Sequence, residues 1–166
     1  KSSLNSIDYS TEGNEDVSLS WSEIREVQDG TYEMDLQLEN IEQLGAYEFS
    51  LAYDVSLIEL IDIEEGDIIS STGRKTQVIR KAIDEDLGIL HLAMISLGSQ
   101  SDGANGSGIL ATIRFKTRNM EDVEFSFLHT QLVRPDAAII KHSLATETSE
   151  LASSSIVSTY PSPLVD

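Results

Sequence analysis

Groups able to do acid–base, metal or nucleophilic chemistry are abundant in this 166-residue chain only as carboxylates, with 29 Asp and Glu, three His and no Cys. His91, His129 and His142 each fall within or beside a strand-like segment, and none stands in an HExxH or related spacing that would turn two imidazoles toward one metal. No serine occupies a GxSxG bend, the sharp turn that exposes a nucleophile, so a Ser, His and Asp triad has no local signature. Neighbouring acids are frequent, as at Glu64 and Glu65, Asp84 and Asp86, or Glu121 and Asp122, and in so acidic a chain they read as solvated turns rather than a glycosidase pair. Asp102–Gly108 (DGANGSG) is loosely like a calcium loop but lacks the alternating acids and the terminal bidentate Glu. It reads first as a hairpin loop, with a weak calcium site as its other use. Asn105-Gly106-Ser107 matches a glycosylation sequon, a pattern short enough to arise by chance. No catalytic residue, metal site or cofactor is therefore expected, and the chain reads as a non-enzyme.

Eleven Lys and Arg against 29 acids give a formal charge of −18. A field of that sign repels phosphate backbones and anionic headgroups, which argues against nucleic acid as a partner, and it draws basic surfaces toward the protein. No run approaches the roughly 20 apolar residues of a membrane-spanning helix, so membrane insertion is not expected. Lys1–Ser20 has no apolar stretch of the signal-peptide kind, and the sequence reads as a mature or excised segment. With 40% apolar and 24% charged residues, the composition is that of a folded globular chain of one domain.

The elements that would position any site are short strands. Residues 1–16 are polar and read as a lead-in with room for one edge strand. From Val17 the apolar residues alternate: Val17, Leu19 and Trp21, then Tyr32, Met34, Leu36 and Leu38 after the Asp29-Gly30 turn signal. Tyr47, Phe49, Leu51 and Tyr53 continue the period, with Glu48, Ser50 and Ala52 on the opposite side. Leu57–Ile63 is a more continuous apolar run, and Val78–Ile83 a short strand before an acidic turn. Leu90, Leu92 and Met94 alternate with His91, Ala93 and Ile95, and Ala111, Ile113 and Phe115 follow the glycine-rich loop Gly98–Gly108. Phe125 and Phe127 mark one strand, Leu132 and Val133 another, and Ala137–Ile140 leads into the last. Helical spacing is scarce, which predicts an all-β, antiparallel sandwich over 17–150, with Phe49, Leu51, Leu92, Ile113 and Phe115 in its core. Residues 151–166, Ser-rich with two of the three prolines, read as a linker to a following module.

Two stretches are similar to a known family. Leu44–Ile69 (LGAYEFSLAYDVSLIELIDIEEGDII) resembles the start of a cohesin domain, in which an FxLxYD strand precedes an apolar strand and a Gly-Asp-Ile turn. Gly108–Thr117 (GILATIRFKT) looks like the later cohesin strand G-x-L-A-x-I-x-F-K, and the alignment extends from Val17 to Leu144. The resemblance implies a nine-stranded jelly-roll sandwich that binds a dockerin module through one exposed sheet face. The matching positions are Glu48, Ser50 and Ala52 on one strand, and His91, Ala93, Ile95 and Ser96 on a neighbour, with Glu48 standing where many cohesins place an acid that hydrogen-bonds the dockerin helix. Ala46 replaces a polar residue common at that surface, and Ala137 and Ile139 fall where an apolar and an acidic contact are expected. Tyr160–Leu164 (YPSPL) resembles the opening of modules that follow in secreted bacterial proteins. An extracellular or cell-surface protein is implied, associated with polysaccharide only indirectly. Two other readings share the architecture: a carbohydrate-binding module, which would need an exposed row of aromatic rings, and a spacer domain that binds nothing.

Overall fold

The computed structural model describes residues 16–99 and 102–144, so the lead-in up to residue 15 and the linker 151–166 lie outside the described residues. Eleven strands and one 3₁₀ turn, Met120–Asp122, make up the elements among these residues. In order they are β1 (Ser18–Trp21), β2 (Arg25–Gln28), β3 (Thr31–Leu44), β4 (Ala46–Tyr53), β5 (Ile58–Glu65), β6 (Lys75–Asp84), β7 (Ile89–Leu97), β8 (Ala104–Thr117), β9 (Phe125–Val133), β10 (Ile139–Ile140) and β11 (Ser143–Leu144).

They form two sheets. The first, sheet A, runs β11-β1-β3-β8-β5 with β2 also on β3, and the second, sheet B, runs β10-β9-β4-β7-β6. The chain passes repeatedly from one sheet to the other, and every pairing is antiparallel except β1 with β11. The expected sandwich is therefore present, with eleven strands in place of nine. The additions are β2, whose four residues are all exposed and carry no apolar alternation, and the splitting of the last segment into two-residue strands on different sheets.

Alternation explains the core. In β4, Tyr47, Phe49, Leu51 and Tyr53 are buried while Glu48 is exposed. The inward residues of β3, β7 and β8 meet them, and all five expected core residues are buried. Phe115 joins the layers, with ring centroids 5.9 Å from Tyr32 and 5.3 Å from Phe125. Each such side chain contributes about 1.5–3 kcal/mol of hydrophobic burial.

Three expectations need correction. The Gly98–Gly108 stretch is strand from Ala104 onward, because two side chains of the sequon serve the neighbouring strand. Asn105 Oδ1 accepts from the Gln43 N–H at 3.0 Å and Ser107 Oγ from the Asn40 N–H at 3.2 Å. Asn40 and Gln43 have φ of 63° and 60°, and β3 slips register against β8 beside them, so these bonds satisfy donors that the irregular ladder leaves free. Phe125–Val133 is one strand, not two, since Leu128 is an extra residue at a bulge and shifts the alternation by one. β6 begins at Lys75, three residues before the apolar signal, as an edge strand that is largely exposed.

Candidate functional site

The outer face of sheet B can be laid out from the register alone. Four rows cross β9, β4, β7 and β6 in turn: Val133, Ala46, Ile95, Gln77; Gln131, Glu48, Ala93, Arg80; His129, Ser50, His91, Ala82; and Ser126, Ala52, Ile89, Asp84. Six of the seven residues singled out from the sequence, Glu48, Ser50, Ala52, His91, Ala93 and Ile95, come together on it. β10 continues the first row outward with Ile139, 60% exposed, while Ala137 lies in the turn before it with φ of 76°.

Ser96 does not belong to this face. It has the parity of Leu92 and Met94 and is buried, where its Oγ donates to the Gly45 carbonyl at 3.2 Å and accepts from Arg74 Nε at 2.9 Å. Gly45, at the passage from β3 to β4, is pressed so closely on Pro135 that a Cβ would lie 2.6 Å from its nitrogen. Ser96 is thus part of a seam that fixes where β4 starts, and as the neighbour of the outward Ile95 it has the opposite parity and lies outside the site.

The face is nearly neutral. Of its sixteen positions only Glu48, Arg80 and Asp84 carry full charges, one cation against two carboxylates, in a chain of net −18. Two hydrogen bonds order its middle: His129 Nε2 to Glu48 Oε2 at 2.6 Å, and Ser50 Oγ to His91 Nδ1 at 2.7 Å. Burial, reinforced by Arg80, pushes the His91 imidazole below its ordinary pKa, with Asp84 opposing. His129, Gln131 and Arg80 were not read from the sequence. They lie on β9 and β6, where the bulges break the alternation that would have signalled them.

A hydrogen-bonded serine and histidine are also the first half of a nucleophile and base. A triad needs a third group on the ring's other nitrogen and donors for an oxyanion. No described residue bonds that nitrogen of His91, and the Asp84 carboxylate instead accepts the N–H groups of Asp86 and Leu87 in its own turn. Nor does any cluster of three or more His, Asp or Glu able to hold a metal occur among the described residues.

Sheet A presents a different outer face. Arg25, Glu33, Arg114 and Asp62 lie in one register row, alternating in sign across β2, β3, β8 and β5. Arg25 reaches Asp35 at 2.9 and 3.0 Å and Glu33 at 3.2 Å, Arg114 reaches Glu33 at 2.5 Å, and Thr112 donates to Asp35 at 2.7 Å. Burial raises the Asp35 carboxyl, but the Arg25 and Thr112 bonds outweigh it and hold it below its usual range. Arg114 does the same for Glu33, helped by Arg25 against burial.

The family model described as "Cohesin domain" matches residues 25–149. The chain belongs to the cohesin family. No curated protein matches it. Solved cohesins share its fold at low identity. The second type II cohesin module from the cellulosomal adaptor ScaA scaffoldin of Acetivibrio cellulolyticus superposes with a TM-score of 0.66 at 13% identity, covering 83% of this chain and 96% of that one. A type I cohesin in the Coh-OlpA–Doc918 cohesin–dockerin complex of Clostridium thermocellum gives 0.63 at 14%, with 79% and 95% covered. The non-cellulosomal cohesin of the hyperthermophilic archaeon Archaeoglobus fulgidus gives 0.58 at 13%, with 78% and 87% covered. This cohesin therefore keeps the family fold while sharing few residues with those relatives.

Proposed function

We propose that this cohesin is a non-catalytic interaction module that captures a dockerin-type protein on the outer face of sheet B, with Glu48, Ser50, Ala52, His91, Ala93 and Ile95 as contacts, in the assembly of extracellular or cell-surface proteins. One observation carries the reading: the centre of that face is the small Ala93, between Glu48 and Arg80, in a field of few charges. A sheet face of this kind binds by close packing around a few central residues, over about 1,200–2,000 Å² in total for a stable complex. The Clostridium thermocellum relative binds a dockerin, which supports the same class of partner here.

The carbohydrate-binding alternative has little to stand on. Trp21, Tyr47, Tyr53, Phe49, Phe115 and Phe125 are buried, and Tyr32 and Phe127 pack against the core, so the described rings offer no exposed row to a sugar.

The test is calorimetric titration of wild type and Ala93→Arg against a panel of dockerin modules. A long charged side chain at the centre should abolish binding and leave melting unchanged, because Ala93 lies outside the core. Unchanged affinity would rule out this face, and failure of every dockerin to bind would return the molecule to the spacer reading.

A further inference from the structure

Resting on that reading, in which the dockerin-type partner presents a helix, we infer that Leu128 and Ile79 are the two apolar anchors of the docking face and that they grip aliphatic side chains about three turns apart on that helix. Each anchor is the extra residue of a β-bulge. Leu128 is left out of the ladder between His129, opposite Ser50, and Phe127, opposite Leu51. Ile79 is left out between Val78, opposite Met94, and Arg80, opposite Ala93. A bulge sets two residues against one, and exposure groups Leu128 with the outward His129 rather than with Phe127, which packs on the core, and Ile79 with the outward Arg80. They are 56% and 59% exposed.

Between them runs a diagonal of small side chains flanked by longer ones, a trough by side-chain length. From Leu128 the line crosses Ser50 on β4 and Ala93 on β7 to reach Ile79 on β6, and both intervening side chains are small. Glu48 and His91, the alternate residues of the same two strands, stand on either side of it. Three strand spacings and a two-residue step along the strands make the diagonal about 16 Å, which a helix covers in about 11 residues, returning to the same face after three turns. Bulges at open edges also hinder edge-to-edge pairing, but that purpose is served by polar residues, and an exposed Ile and Leu work against it.

Charge fixes the rest of the occupant. Arg80 makes no ion pair with any described residue, although acids outnumber bases in this chain by 29 to 11. On the opposite side of the trough's centre Glu48 has a single side-chain partner among the described residues, His129. The helix therefore offers an acid toward Arg80 and a donor, best a Lys or Arg, toward Glu48.

The experiment uses the full chain, with the tightest dockerin of a yeast-displayed panel as the probe. Ile79→Ser and Leu128→Ser should each raise Kd roughly tenfold with no change in melting. Leu87→Ser is the control: it is 70% exposed in the turn between β6 and β7, off the trough, and should bind as wild type. Full affinity in both anchor variants, with Ala93→Arg still inactive, overturns this inference and leaves the docking face standing. Equal loss in Leu87→Ser would overturn it in favour of unspecific apolar contact. Self-association abolished by the two anchor substitutions would give the trough to a second copy of the chain. No binding by any dockerin would remove both the inference and the reading beneath it.

Discussion

The outer faces of the two sheets obey the same alternation yet differ in where their polar groups find partners. On sheet A, Arg25, Glu33, Asp35, Thr112 and Arg114 bond to one another across three strands. On sheet B the middle of the face holds the small Ala93 and Ala52 beside two isolated bonds, His129 to Glu48 and Ser50 to His91, and Arg80 stands without an ion pair among the described residues. A side chain already bonded within the chain must lose that bond before it can serve a partner, whereas small and unpaired groups lose only water. An outward-facing polar residue is therefore weak evidence of a site until its bonds are traced.

The largest effect should be blind to the difference. Phe115→Ala removes the ring that ties Tyr32 of sheet A to Phe125 of sheet B, and should cost about 3–5 kcal/mol in urea unfolding. A loss under about 1 kcal/mol would show the core to be elsewhere. Next comes a reciprocal pair. Asp35→Ala should lower stability by about 1–3 kcal/mol and leave dockerin affinity alone, while Glu48→Ala should weaken affinity by about 1–3 kcal/mol and leave stability nearly alone. If both variants move the same observable, the contrast between the faces collapses.

The smallest effect is in the response to acid. Glu33 and Asp35 are held below the carboxylate range, so their contribution is complete above about pH 4 and is lost as pH falls through their folded values. His91 is held down by burial and Arg80; His142 is held down by burial and His129, against the pull of the Ile140 carbonyl. Their contribution is complete above the ordinary imidazole value of 6.5 and fades as pH falls below it. Melting temperature should accordingly decline in two steps, the upper one flattened by joint His91→Gln and His142→Gln substitution. A flat profile from pH 7 to 5 in wild type would mean that neither ring is desolvated by folding.

How much was legible follows the same physics. Period two gave β4 and β7 with the correct side outward, because neither strand has a bulge and both bury every second residue. It failed on β9, where the extra Leu128 puts Phe127 and Leu132 out of phase, and on β6, an edge strand that buries too little to leave a pattern. The start of β8 was hidden because Asn105 and Ser107, which read as loop residues, bond to the backbone of β3. Ser96 was counted in the site on the resemblance alone, whereas the alternation of β7 turns it inward, into a seam where the hydroxyl has two partners. The centre of the face was thus readable, and its flanks, which depend on irregular register, were not.

The pairing of β1 with β11 also bears on how the molecule assembles. Ser18 lies against Ser143, so that short ladder closes nearly the whole described chain into a single loop. Such a closure carries the greatest entropy cost of any pairing in the fold and gains only a few bonds, among them the Ser143 N–H to the Val17 carbonyl at 2.9 Å. It becomes favourable once β3 and β8 already hold the surface on which it forms, and the folding rate is set by those earlier, long-range pairings. In refolding, amide protection at Ser143 should be acquired after that of β3 and β8, and in the native state it should be the first of the three to exchange.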